Sequence, residues 1–532
     1  MNHRWSHLVA ALAIALGVMR IVSTYEVFGE TFDEGVHIAA GMELLDQGRF
    51  TYEPKHPPLA RAAVALGPWL SGIGSQGVPN IWGEGRAIIH AENPDRTLFL
   101  ARLGIHPFFV LACVMLWAWT ARLAGPAEAA VAVVLFTLTP IVLAHASVAT
   151  TDMALLGTLT ALVYLSSRWL DSPTRAHSVL LGVAGAAALT AKMSSVVFFG
   201  GTVALVLALR YWWGRGATTP ERSARGILTL SAAHWRSLLV TAPVAFLCVW
   251  AVYRFQVGSL RGVPFPLTTL IQGVRDMLNH NSLGHASFLL GTAYSDGKLL
   301  FFPVGIGVKA PLTLLAFGLA GVLMLAGRAR AARDWRLAVP LLVAVAVLAP
   351  SIPARINIGV RHVLPVFMVL ALCAGLAVVA AWRRAALVGR VAVAGVAATG
   401  LWSTASIHPD YLAYFNELAG AHPERVLVDS DLDWGQDLRR LRDTLRARGI
   451  DSVTTAYFGS AVPEMYGIPA RAKWVRGEPV HGWFVISQTL RQRGDAVLRN
   501  RKWTLYPDAF AFLDGLEPEA RVGRSLLLYR LP

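Results

Sequence analysis

The sequence predicts a polytopic α-helical membrane protein with a C-terminal α/β domain outside the bilayer. Three observations predict this class. Apolar residues make up 55% of the 532 and charged residues only 15%, where a soluble protein carries about 25% charged. Long apolar runs recur as far as residue 407, with basic residues at their ends. From about His408 the chain turns polar, and strand-like runs flank a helical one. The net charge of +15 follows the run ends and forms no continuous face and no nucleic-acid module. Nucleic acid is therefore excluded as a partner, and membrane lipids take its place. Cys113, Cys248 and Cys373 each lie in an apolar stretch without CxxC spacing, so they read as small apolar packers.

The apolar runs are 8–23, 103–119, 131–149, 153–165, 179–189, 194–209, 237–253, 301–325, 337–352, 363–382 and 391–407, about eleven spans. The run at 179–189 is the shortest and could be a re-entrant hairpin. Arg20 closes the first run and no small-x-small cleavage site follows, so it is read as a retained span and not a signal peptide. Arg168 with Arg175, and the basic connections at 210–236, 328–336 and 383–390, mark the cytoplasmic side. The N-terminus is then inside a cell (inner) membrane. The outer side receives residues 25–102, the turns at 145–152 and Lys192, residues 255–300, 352–362, and everything after 407. Nearly all the Asp, Glu, His, Asn and Lys that could carry chemistry fall in these outer segments, and the chemistry is expected there.

In the first outer loop, residues 31–37 (TFDEGVH) open an amphipathic helix that ends at Gly48 and should lie along the membrane surface. Thr31 and Glu34 have capping-box spacing, and Asp33 complements the helix dipole. Structural capping and a catalytic carboxylate both fit Asp33, which could accept a proton from an acceptor hydroxyl. His37, four residues on, shares its face, so Asp33 and His37 are weak candidates for a metal pair. Residues 52–59 (YEPKHPPL) place Lys55 and His56 at the bilayer surface, where lipid phosphates lie, and Pro58 starts a second surface helix through Trp69.

Further along, Asp152 can cap the span that follows. Lys309 lies inside an apolar run, where it should snorkel to the interface or face a cavity or an anionic group. The C-terminal segment, 408–532, contains strand-like runs at 425–428, 453–457, 483–487 and 526–529. A helix over 436–448, closed by Gly449, suggests a βαβ unit. Asp429, Asp431 and Asp433 would then sit at the carboxyl end of a strand, as helix caps or ligand contacts. This domain is expected to touch an acceptor or partner without holding the reaction centre.

The ordered set TFDEG, KHPPLAR, LAHASVATTD, GHASFLLGTAYSDGKLLFFPVGIGVKAPL, INIGVRHVLPVF and VDSDLDWGQDLRRL resembles the bacterial branch of glycosyltransferase family 39 across nearly the whole chain. That family includes transferases similar to protein O-mannosyltransferases and aminoarabinose transferases, with the type C membrane glycosyltransferase fold. The resemblance implies residues 1–407 as the transmembrane glycosyltransferase domain and 25–102 as its catalytic loop. It also implies that Asp33 is the catalytic base, with Glu34 as its catalytic neighbour and Asp152 as a second acidic site residue. The donor would be a polyprenyl-phosphate sugar, whose leaving group needs cations more than a general acid. Lys55, His56, Lys192, His285, Lys309, Arg355 and Arg361 are the substrate-binding candidates, with no cofactor required beyond a possible divalent cation. The expected activity is an inverting transfer of one sugar to a hydroxyl of an unidentified protein, lipid or glycan. The alternative is a lipid-linked-sugar transporter or a non-catalytic binding protein of the same fold. A transporter calls for mid-membrane ionisable residues and inverted repeats, and the sequence has neither.

Overall fold

The computed structural model describes residues 3–214 and 231–532. The basic connection expected at 210–236 lies mostly outside the described residues. In chain order the helices of the first part are α1 (His3–Val22), α2 (Glu34–Gln47), α3 (Pro58–Leu70), α4 (Ile81–Ile89), α5 (Pro94–Leu103), α6 (His106–Leu123), α7 (Pro126–Thr137), α8 (Pro140–Ala146), α9 (Asp152–Asp171), α10 (Arg175–Ala191), α11 (Ser194–Gly214) and α12 (Ala232–Val252). A hairpin of β1 (Val257–Leu260) and β2 (Val263–Pro266), helix α13 (Thr268–Leu283) and a hairpin of β3 (Ser287–Leu289) and β4 (Thr292–Tyr294) follow. Then come α14 (Phe301–Lys309), α15 (Leu312–Ala332), α16 (Trp335–Ser351), α17 (Leu364–Arg384) and α18 (Leu387–Ser406).

Eight helices among the described residues are long and apolar enough to cross a bilayer, from Arg4–Val22 to Leu387–Ser406. The run at 131–149 is two helices, α7 and α8, bent by 67°. Pro140 begins α8, and its ring and missing N–H end the preceding helix. The run at 301–325 is likewise split, between Lys309 and Leu312, at Pro311. The shortest run, 179–189, is not a hairpin: it belongs to one continuous 17-residue helix, α10. Trp335–Ser351 is the other apolar helix of that length class.

Buried α17 is the centre of the bundle, with 89% of its apolar window enclosed against only 6% for α18. Gly321 of α15 makes this packing possible, because a Cβ there would overlap the backbone of Cys373 on α17. At one end of the bundle, Arg383 of α17 pairs with Glu128 of α7 at 2.7 Å, and Asp171 takes Arg122 and Arg336. The opposite end carries α2 to α5, and α2 departs from expectation. Every residue from Glu34 to Leu44 is buried, because α3 and α4 cover the helix on both sides. It is an interior element, not a surface one. Its end at Gly48, with φ +67, is the expected left-handed cap.

After α18, residues 411–434 pack into the main helical core through Tyr411, Leu412, Leu427 and Trp434. The separate α/β core begins with α19 (Leu438–Ala447). Its five-stranded sheet has the order β10 (Ala520–Val522), β11 (Leu526–Leu531), β7 (Gly482–Ser487), β5 (Val453–Ala456), β6 (Ala470–Lys473). Helix α20 (Gln488–Arg493) follows β7, and β8 (Asp495–Arg499) pairs with β9 (Lys502–Tyr506). Residues 425–428 are not a strand. They follow a 3-10 turn at Pro423–Arg425 and press Leu427 into the helical core, so the expected βαβ unit is not formed there.

Candidate active site at the polar end of the helices

Asp33 precedes the first turn of α2, and its side chain makes no capping hydrogen bond. The helix start is organised instead by Glu34, whose Oε2 accepts the Thr31 N–H at 2.8 Å. This frees the Asp33 carboxylate, which keeps 25% of its side-chain surface exposed and accepts from Arg361 Nη1 at 2.8 Å. The same Nη1 lies 3.6 Å from Asp152 Oδ2, and Asp152 Oδ1 receives Lys192 Nζ at 2.5 Å. Four residues drawn from a span of more than 300 positions thus form one chain of alternating charge: Asp33, Arg361, Asp152, Lys192. The helix-cap reading of Asp152 is not what its side chain does, since it faces two cations.

A second group stands beside this chain. Buried Arg61 of α3 pairs with Glu53 at 2.8 Å, and Lys55 lies 3.3 Å from Glu53. Arg61 Nε donates to His37 Nδ1 at 3.1 Å, and the His56 ring packs edge-on to His37 with centroids 5.5 Å apart. Burial and the Arg61 charge hold both imidazoles well below their usual range, so they are neutral.

Glu34 is turned the other way. Fully buried, it takes both Arg102 Nε and Nη2 at 2.8 Å, together with the Thr31 and Ala149 N–H groups. Both of its oxygens are engaged by these four donors, and the residue ties the loop to the bundle. Lys309 is also fully buried, with Nζ donating to the carbonyls of Leu412 and Asp431 and lying 4.1 Å from the Phe415 ring centroid. Its charge is spent inside the protein, not on a phosphate. Arg355 is exposed and bonds the Ser282 carbonyl at 3.3 Å. His285 bonds the Ala286 carbonyl and packs 5.1 Å from the Trp503 ring.

Both members of the expected metal pair, Asp33 and His37, have cationic partners. Asp33 is engaged by Arg361 and His37 by Arg61, both cations, and among the described residues no group of three or more His, Cys, Asp or Glu could hold a metal ion. These donors do not fit a divalent cation.

The sequence offers Asp429, Asp431 and Asp433 as helix caps or ligand contacts at the carboxyl end of a strand. In the structure residues 429–436 wedge between the Asp33 loop and the Arg361 turn. The Trp434 ring lies 4.2 Å from the Arg361 guanidinium, and its carbonyl accepts the Phe32 N–H at 2.9 Å. The Asp431 carboxylate accepts the Val360 N–H at 3.0 Å, and Ser430 Oγ donates to the Ile358 carbonyl. Gly359 allows this approach, because a Cβ there would collide with Ser430 Oγ. This segment therefore borders the Asp33–Arg361 pair. Trp434 and Arg61 were within the quoted motifs DLDWGQ and HPPLAR, but no spacing rule reveals which side chains those motifs bring to Arg361 and His37.

No family model matches the chain, and no curated protein does. Among solved structures, ArnT from Cupriavidus metallidurans bound to undecaprenyl phosphate matches 97% of each chain at a TM-score of 0.50 and 14% identity. The chain has the type C membrane glycosyltransferase fold. It is a multi-pass membrane protein. The apo form of the same ArnT matches at a TM-score of 0.49, and the apo Archaeoglobus fulgidus oligosaccharyltransferase at 0.44, both at 14% identity; the first covers 97% of each chain, the second 88% of this chain and 64% of the other. In this fold the polar end described above is where the membrane helices meet the α/β domain.

Proposed function

We propose that the protein transfers one sugar from a polyprenyl phosphate to a hydroxyl acceptor at the outer face of the cell membrane. The observation that carries this reading is a partly exposed carboxylate, Asp33, held in line with buried Arg361 and Lys192 at the end of the helices. The ArnT structure of the same fold binds undecaprenyl phosphate, which supports a lipid-phosphate donor. Asp33, paired with Arg361, accepts the acceptor hydroxyl proton as that oxygen attacks the anomeric carbon. The bond from that carbon to the phosphate oxygen breaks, and the configuration inverts. The departing phosphate is an anion, so Arg361, Lys192 and Lys55 stabilise it without a general acid.

The test uses purified protein in lipid, radiolabelled polyprenyl-phosphate sugars and total membrane extract as acceptor. Asp33→Asn is expected to lower transfer by about 10²–10⁴-fold while donor binding persists. Transfer by the variant at the wild-type rate would overturn the assignment of the base.

A further inference from the structure

Asp429 enters the buried junction in an unusual conformation. Its φ is +58, a left-handed setting that is uncommon for a residue other than glycine and that clusters at functional positions. The residue is 7% exposed. Its backbone N–H is held by Thr489 Oγ1 at 3.0 Å, and its Oδ1 accepts only the neighbouring Ser430 N–H, at 2.7 Å. Among the described residues Oδ2 accepts no hydrogen bond.

The charges that act on this carboxyl are Arg493, Arg361 and, with the opposite sign, Asp33, yet among the described residues neither arginine forms an ion pair with it. Arg493 comes from α20, is 5% exposed, and leaves its Nε–H without a partner. Its other contacts are a long bond of 3.5 Å to the Ala286 carbonyl and the face of Phe458, 5.1 Å away. The Nε–H of Arg361 is also unpartnered. Phe458 in turn stacks at 5.1 Å on Phe32, the neighbour of Asp33. The two guanidinium N–H groups are buried donors left empty, which is costly and leaves them open to a polar ligand.

That ligand has to offer both donors and acceptors. An anion would be repelled by Asp429, and a cation by the two arginines. A ring with adjacent hydroxyls satisfies both: it donates to the carboxyl, accepts from the guanidinium, and packs its C–H groups against the edge of Phe458, beside Arg493 and Phe32. We propose that Asp429, Arg493 and Phe458 form the subsite that recognises the hydroxyls of a sugar ring next to Asp33. This rests on the transferase reading and adds to it the group by which the sugar is read. The ring belongs either to the donor or to a glycan acceptor, and the experiment separates the two.

The decisive variant is Asp429→Asn. Asparagine tolerates the left-handed conformation and its oxygen still accepts the Ser430 N–H, so the loop keeps its shape. Binding of bare undecaprenyl phosphate and of undecaprenyl phosphate carrying a neutral hexose, a hexosamine or a pentose is measured on wild type and variant in nanodiscs. If the ring is the donor's, the wild type prefers one charged lipid over the bare lipid and the variant loses about tenfold or more of that preference. Its affinity for the bare lipid does not change. Arg493→Lys, with a compact head in place of the planar fork, weakens the preference in the same sense. If the ring is the acceptor's, donor preference survives in Asp429→Asn and the acceptor KM rises about tenfold. The proposal is overturned if neither quantity moves, or if bare-lipid affinity and thermal midpoint fall together in the variant. A wild type that binds no polyprenyl phosphate sinks the transferase reading itself, a result distinct from any of these.

Discussion

Two adjacent carboxylates, Asp33 and Glu34, are assigned opposite duties, and Glu34→Gln tests the division. The Glu34 carboxylate accepts four bonds at 2.8 Å, Oε1 from Arg102 Nε and Ala149 N, Oε2 from Arg102 Nη2 and Thr31 N. A glutamine must point its NH2 at one of these pairs, so two donors lose their acceptor in either orientation. Arg102, 2% exposed, loses its counter-charge as well. Removing one partner of a buried ion pair costs about 3–5 kcal/mol, enough to lower the thermal midpoint by several degrees. Asp33→Asn differs: Asp33 is 25% exposed, and Asp152 stays near Arg361 to balance it, so the cost is at most about 1 kcal/mol. Both variants are compared by thermal unfolding in detergent, followed by intrinsic fluorescence, and by transfer per folded molecule. Glu34→Gln should be unstable yet active in its folded fraction, and Asp33→Asn stable and inactive. A Glu34→Gln protein of wild-type stability that transfers nothing would refute the division.

Trp434→Ala removes the face beneath the Arg361 guanidinium. Its kcat should fall at least tenfold while Trp434→Phe retains most of the rate, and equal kcat in both would show that the ring does not position Arg361. Lys309→Met leaves the carbonyls of Leu412 and Asp431 unpaired, at about 1–3 kcal/mol each. Hydrogen exchange across 411–434 should quicken, and unchanged protection would dismiss that role. Burial pushes the carboxyls of Glu30, Asp429 and Asp433 up to about 7. The folded state then keeps protons that the unfolded chain has released. The penalty is absent below the ordinary carboxylate range, grows as pH rises and is complete above about 7. Exchange at 29–32 and 428–437, corrected for intrinsic rate, should be slower at pH 5 than at pH 8, with a smaller pH effect in Glu30→Gln. An effect of the opposite sign would contradict these shifts.

What could be read along the chain follows from properties that are local in sequence. Apolar runs mark helices because a buried backbone must bond within its own segment, and α1, α9, α11, α12 and α17 lie where hydropathy puts them. Gly48 and Gly449 end their helices in the left-handed conformation, as turn chemistry requires. Breaks at Pro140 and Pro311 were visible as prolines, but apolar composition concealed them, since hydropathy does not register a missing N–H. The strand at 425–428 failed for a related reason. Its residues are apolar enough for a sheet, yet the nearby helical core was the better place to bury Leu427.

The site divides in the same way. Residue type and one-sided placement singled out Asp33, Lys55, Lys192 and Arg361, because a carboxylate or cation beside a membrane is costly enough to stand out on its own. Which carboxylate is free was decided by contacts: Arg102, Thr31 and Ala149 claim Glu34, while among the described residues only Arg361 holds the Asp33 carboxylate. Lys309 and Lys192 look alike in sequence, but one meets two backbone carbonyls and the other Asp152. The sequence by itself determined the membrane class and the charges at the end of the bundle. Only the tertiary structure decided their partners and brought Trp434 against Arg361, because a pairing across hundreds of residues depends on which buried surfaces fit and leaves no periodicity in the chain.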